Sequence, residues 1–244
     1  MATLEHSFIK KFSNSITCKE NGIYYADSSE NISYPDNGND LCFEIEENSF
    51  WFGHRNNCII EMIKNYPPTR NSPIFDVGGG NGFVAKGLLD AGLEVVLVEP
   101  GPAGAINAKK RGVPHVICAT THTAQFKPGS ISAIGIFDVV EHIEDYIGLF
   151  KHLWELLVPE DMLYLTVPSY QFLWSQEDVE DGHFRRYTLK NLKKKSCILD
   201  STFHIHLTFC LSSTSYIFFK NNSLQAKTWT IMCYKPHKKR PFCT

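Results

Sequence analysis

PIFDVGGGNGFVAKGLLDAGLEVVLVEPG, residues 73–101, is the stretch on which the reading of this chain turns. Ile74, Phe75 and Val77 make a short apolar run of the kind found in a strand buried on both faces. Gly78, Gly79, Gly80 and Gly82 follow at once, and such a turn lets backbone N–H groups approach a ligand with no Cβ in the way. Val84, Leu88 and Ala91 recur at helical spacing, and Gly92 stands where a helix would end. A second apolar run, Val95 to Val98, closes on Glu99. Strand, glycine turn, helix, strand and acid form half of a nucleotide-binding α/β unit, with the carboxylate placed to accept hydrogen bonds from a ribose.

The glycines choose between nucleotides. A dinucleotide fingerprint requires a third glycine at position 83, which is Phe83. After Asp76 the order is instead Gly78-x-Gly80-x-Gly82, with Glu99 and Pro100 ending the next strand. This pattern resembles motif I of the class I S-adenosylmethionine (SAM) methyltransferases. A second anchor lies downstream. Ile131 to Phe137 reads as a fourth strand and runs into Asp138-Val139-Val140-Glu141-His142, which resembles the motif IV signature of the same superfamily.

The resemblance covers about residues 43–192. It implies a Rossmann-like α/β fold: a mainly parallel seven-strand sheet with helices on both faces. It implies SAM as cofactor, S-adenosylhomocysteine as product, and a small molecule as acceptor, bound through an O, N or C nucleophile. The cofactor set carried over is Asp76, Gly78, Gly79, Gly80, Gly82, Glu99, Pro100, Phe137 and Asp138. Phe50-Trp51-Phe52 with Arg55 is similar to a segment that forms a lid over the cofactor in many small-molecule methyltransferases, with Arg55 set against the SAM carboxylate. Packing of this helix over the sheet edge is the structural alternative. The loop after the third strand, His115 to Cys118, usually carries an acid for the adenine amino group. Here it is Ala119-Thr120-Thr121-His122, so the Thr120 hydroxyl or a backbone carbonyl takes that place.

Candidate chemistry sits beyond the fifth strand, Met162 to Val167. The loop from Pro168 to Leu192 is rich in aromatics and charges, and its Leu-Trp-Ser and Gly-His-x-Arg-Arg-Tyr-Thr segments look like the acceptor side of such enzymes. His183 is the candidate base, because an imidazole has the right unperturbed pKa. His142 is the second candidate, with a helix-start role as its alternative. Trp174, Arg185, Arg186 and Tyr187 are the acceptor-binding candidates, the arginines for an anionic group. Pairing of those arginines with Glu177, Asp178, Glu180 or Asp181 is the competing reading. No resident metal is expected. The ubiquinone-pathway O-methyltransferases, however, hold a divalent cation with acid-x-x-Glu-His, which Asp138, Glu141 and His142 match.

Composition bounds the rest. The chain has 244 residues with 24 basic and 26 acidic side chains, so no nucleic-acid surface is expected. No long apolar run forecasts a signal peptide or a spanning helix. Eight cysteines without a CxxC pair suit reduced thiols and a cytoplasmic setting. Three segments are expected: a loosely ordered polar arm over 1–48 with one or two short strands, a SAM-binding domain over 49–195, and a divergent segment over 196–244. Helix periodicity breaks after Lys195, and alternation near His204–Phe209 and Thr228–Tyr234 suggests the last two strands, antiparallel and less well packed than the rest. Two other readings stand beside the methyltransferase: an NAD(P)-dependent oxidoreductase, opposed by Phe83, and a SAM-binding protein without turnover, which the unusual tail favours.

Overall fold

The computed structural model describes residues 8–28, 42–159, 161–188 and 191, and the backbone alone of residues 38–41 and 160 and of three C-terminal strands at 203–209, 214–221 and 231–233. The strands are β1 (Ile16–Cys18), β2 (Ile23–Ala26), β3 (Ile74–Val77), β4 (Val95–Val98), β5 (His115–Cys118), β6 (Ile131–Phe137), β7 (Leu157–Pro168), β8 (Phe203–Phe209), β9 (Thr214–Asn221) and β10 (Ile231–Cys233). The helices described are α1 (Gly38–Asn48), α2 (Phe50–Asn65), α3 (Phe83–Asp90), α4 (Pro102–Lys110), α5 (Tyr146–Leu156) and α6 (Gln176–Glu180), with short 3₁₀ turns at Val140–His142 and Gln171–Leu173.

All ten strands join one sheet in the order β1-β2-β5-β4-β3-β6-β7-β9-β8-β10. The expected seven strands are its centre. β5, β4, β3, β6 and β7 run parallel, and β9 returns antiparallel to both β7 and β8. β3 alternates sides as a buried strand must: Phe75 and Val77 enter one core, and Ile74 the other. The first core packs α5 (Tyr146, Phe150, Leu153, Leu156) and the segment around Ile9 and Phe12 on the sheet. The second packs α2, α3 and α4 through Ile59, Ile63, Leu88 and Ala108. The chain leaves β3 towards β5 and then crosses back to β6 on β3's other side. That reversal opens a crevice at the carboxyl ends of β3 and β6, where open α/β sheets bind ligands.

Two expectations change. Residues 8–28 supply the one or two short strands expected there but are packed rather than loose: β2 pairs in parallel with β5, and Ile9, Phe12, Ile16, Ile23 and Tyr24 are buried. Their apolar side chains are spaced too irregularly for a period to show, yet each finds the sheet edge. At the other end, β8 falls where alternation predicts it. The strand beside β7 is Thr214–Asn221, however, and the Thr228–Tyr234 run supplies only Ile231–Cys233, parallel to β8. β7 is also longer than the predicted Met162–Val167, because its pairing with β6 starts at Leu157, ahead of Pro159, with a register shift. The packing expectation for the tail lies outside the described residues. Among the described residues no helix is long and apolar enough to cross a membrane, and Cys18, Cys42, Cys58 and Cys118 are free thiols.

Candidate active site

A cavity of about 720 Å³ opens in that crevice, within the size range of small-molecule sites. Its floor is the glycine turn. Gly78, Gly80 and Gly82 have φ of 72°, 51° and 75°, a region in which only glycine is at ease. At Gly78 a Cβ would also stand 2.7 Å from Cγ2 of Val139, so this turn excludes a side chain twice over. Glu99 closes the turn from β4. Its Oε2 accepts from the Gly80 N–H at 2.8 Å and its Oε1 from the Gly101 N–H at 2.7 Å. Burial pushes its carboxyl up, and these two bonds oppose the rise.

Asp76 lies beneath, 1% exposed, with Oδ2 lacking any hydrogen-bond partner. Burial lifts its pKa to about 7, against the pull of Arg55 and with the help of Glu99. A buried orphan oxygen is costly and marks a place where a ligand supplies the missing partner. Asp138 follows β6 with φ of 56°, strained for a side-chain-bearing residue. Its Oδ1 accepts from the Thr166 hydroxyl at 2.8 Å, and its Oδ2 pairs with Arg55 Nη2 at 2.6 Å. Arg55 also donates to the Phe137 carbonyl at 3.1 Å. The guanidinium assigned to a SAM carboxylate is therefore already matched to a carboxylate of the chain.

The far wall comes from the loop after β7. Asp178 is buried, and five hydrogen bonds converge on it. Oδ1 takes His183 Nδ1 and Arg186 Nε, both at 2.8 Å. Oδ2 takes Arg186 Nη2 at 2.8 Å, the Ser175 N–H at 2.7 Å and the Ser175 hydroxyl at 3.2 Å. Burial pushes this carboxyl up, but the bonds from Arg186, His183 and Ser175 outweigh it and hold it well below the usual range. An ionised Asp178 requires His183 Nδ1 to be the donor, so that in the neutral ring Nε2 is the lone-pair nitrogen. The loop is zipped to the segment after β6: Phe184 N–H to the Glu141 carbonyl at 2.8 Å, Arg185 to the Glu144 carbonyl at 3.1 Å, and Tyr187 hydroxyl to the Val140 carbonyl at 3.2 Å. His142 and His183 thus meet edge to face, ring centres 4.7 Å apart.

The predicted site residues divide accordingly. Arg55, Asp76, Gly78, Gly79, Gly80, Glu99, Pro100, Phe137, Asp138, His142, His183 and Arg186 line the cavity. Gly82, Thr120, Trp174, Arg185 and Tyr187 do not. Gly82 packs towards Ala108, and Thr120 shares its hydroxyl with Thr123. Tyr187 is a buried strut. Arg185 lies over the Tyr146 ring at 4.8 Å, and Arg186 is committed to Asp178, so neither arginine offers a free cation to an acceptor. Sequence reading missed Glu46 and Cys42, which line the cavity from α1. Arg111 at the end of α4 secures that helix, bonding Glu46 at 2.7 Å, the Phe43 carbonyl at 3.1 Å and, at the turn, the Asn81 carbonyl at 2.9 Å. It also missed Asp178 as the organiser of its loop, although Ser175-x-x-Asp178 is a readable capping box.

A family profile described as a methyltransferase domain matches residues 53–195, more than half of the chain. The chain belongs to this methyltransferase family. Among curated proteins, an uncharacterized methyltransferase of Mycolicibacterium gilvum is 36% identical over 105 residues, 41% of this chain but only 37% of that relative. Solved structures agree on the fold. A SAM-dependent methyltransferase of Thermotoga maritima superposes with a TM-score of 0.57 at 15% identity, over 73% of this chain and 96% of that one. Phosphoethanolamine N-methyltransferase 2 of Haemonchus contortus, solved with SAM, gives 0.53 at 15% identity, over 69% and 53%.

The residues lining the cavity fit SAM, the cofactor that the sequence resemblance implies. The glycine backbone leaves room for close approach. Glu99 keeps lone pairs for hydroxyls, Asp76 has an oxygen without a partner, and Trp51, Phe52, Phe83 and Phe137 supply aromatic faces suited to a sulfonium cation.

Proposed function

We propose that this methyltransferase uses SAM to methylate a small molecule held in the cavity between the glycine turn and the loop carrying His183. Gly78, Gly79, Gly80 and Glu99 would hold the nucleoside, with Asp76 and the aromatic faces beside the rest of the cofactor. SAM, when bound, supplies an electrophilic methyl group. The chain's own part is to exclude water, orient the acceptor and take its proton. Trp51 and Phe52 from α2 and Glu46 from α1 roof the cavity and serve as its cover.

The observation that carries the reading is the Asp178–His183 pair on the same cavity as Glu99. Asp178 fixes the imidazole tautomer, so a neutral His183 presents Nε2 as proton acceptor for a hydroxyl, an amine or an acidic carbon. Arg186 does not bind the acceptor in this reading; it balances Asp178. Residues 49–195 are read as the catalytic unit and the strands past 196 as its completion. The acceptor class is supported by the size of the cavity and by the kinship with the Haemonchus enzyme, whose named acceptor is small. Mass spectrometry of small molecules that co-purify, followed by turnover of methyl-labelled SAM against that pool, tests the proposal. Labelled product that His183→Ala does not form supports it; SAM binding with no acceptor turned over rejects it.

A further inference from the structure

The cation trio suggested by the ubiquinone-pathway resemblance does not fit this structure. Asp138 has one oxygen on Thr166 and the other on the Arg55 guanidinium, so it already faces a cation and lacks a free oxygen edge for a second. A different set is assembled instead. Glu141, His142 and His183 bring one carboxylate oxygen and two ring nitrogens within 4.8 Å of one another, and all three line the cavity.

We propose that Glu141, His142 and His183 bind a divalent transition-metal ion, with Zn²⁺ the best match. Two imidazoles and a carboxylate suit zinc and its neighbours, whereas Mg²⁺ prefers oxygen. Three independent features of the site point the same way. Glu141 is 1% exposed, and its Oε2 has no hydrogen-bond partner, an arrangement that an ion would satisfy. Nδ1 of His183 is bound to Asp178, which is the carboxylate–histidine arrangement that orients metal-binding imidazoles. His142 likewise makes a hydrogen bond to the Asp181 backbone, which orients its ring. The Phe184–Glu141 backbone bond holds the two contributing segments together without the ion. Donors in a tetrahedral zinc site are about 3.3 Å apart, given bonds of about 2.0–2.1 Å, so loading requires a side-chain adjustment of about an ångström.

The inference rests on the methyl-transfer reading of this cavity. With an ion bound, the Nε2 lone pair of His183 would be engaged by it, and the chemistry the ion would supply is a lowered pKa for a hydroxyl beside it. In metal-free protein His183 acts itself.

The test uses full-length protein stripped with a chelator. Zn²⁺ is titrated in competition with a chromogenic chelator, and Co²⁺ is followed by its visible absorption. One ion per chain is expected, in a site of low coordination number by the cobalt spectrum. His142→Ala and His183→Ala abolish stoichiometric binding and Asp178→Asn weakens it about 10–100-fold, whereas Asp138→Asn still binds one ion per chain. His183→Gln replaces the alanine variant if that chain fails to fold, as judged by SAM affinity and thermal midpoint. No ion bound by the wild-type protein overturns the site. So does binding that survives His183→Ala but is lost in Asp138→Asn, which would return the site to the oxygen-rich trio. SAM affinity is measured in the same samples: SAM bound without zinc defeats this inference alone, and zinc bound without SAM defeats the cofactor reading alone.

Discussion

Glu99→Gln is the perturbation whose consequence can be worked most directly from the structure. The glutamate presents two acceptor oxygens, one to Gly80 N–H and one to Gly101 N–H, at 2.8 and 2.7 Å. Glutamine keeps the shape but has one oxygen and one NH₂. Either orientation turns a donor towards a backbone donor and leaves that N–H unsatisfied in a site where Glu99 is only 7% exposed. A buried unsatisfied donor costs about 1–3 kcal/mol, which is also the scale of a lost bond to a charged group. If the loss falls on Gly80, the turn shifts and SAM affinity drops by about 5- to 150-fold, at about 1.4 kcal/mol per factor of ten. Calorimetry with SAM and S-adenosylhomocysteine measures this, and urea unfolding reads the stability share separately. Unchanged affinity together with unchanged stability would mean that Glu99 does not shape the turn, and the cofactor site would have to lie elsewhere.

Other expectations follow from the same geometry. Asp76 holds a proton in the native state up to about pH 7 but releases it near pH 4 when unfolded, so its contribution makes stability fall as pH rises through that window. Asp76→Asn should flatten the pH dependence, by a few kcal/mol at most, in denaturant melts taken from pH 4 to 8; a parallel curve for the two proteins refutes the burial argument. Gly78→Ala forces a side chain into a left-handed turn and against Val139, and should cost about 1–3 kcal/mol by urea unfolding. Arg186→Ala leaves the buried Asp178 without its bidentate partner and should cost about 3–5 kcal/mol, whereas a role in acceptor binding alone would raise KM with stability intact. Arg111→Met removes the tie from α4 to α1, and should raise hydrogen exchange in residues 42–48 and weaken SAM binding.

The sequence displays the features that depend on local periodicity. β3, β4 and β6, the glycine turn and Glu99 are each set within a few residues, and a buried parallel strand announces itself as an apolar run. What it conceals is pairing over distance. Arg55 and Asp138 are both visible as functional residue types, but nothing local says that they neutralise each other across 83 positions. Arg185 and Arg186 look alike in sequence; one lies over the Tyr146 ring and one closes on a buried carboxylate, because the turn at Gly182 brings Asp178 under Arg186 alone. One or two short strands near the N-terminus were expected from sequence, but their pairing into the main sheet was not, for a related reason. β1 and β2 have three and four residues, too short for a period to emerge; β1 pairs with β2, and β2 with an edge formed nearly 100 residues later.

The central claim is that the cavity joining Glu99 to His183 carries methyl transfer from SAM. The most direct measurement is single-turnover transfer from methyl-labelled SAM to the co-purifying acceptor, for wild type and His183→Ala, with SAM affinity determined alongside. The account predicts labelled acceptor from wild type, a rate lowered about 10²–10⁴-fold in the variant, and SAM affinity nearly unchanged. Full activity in His183→Ala, or a wild-type chain that binds SAM tightly and labels nothing, would contradict it.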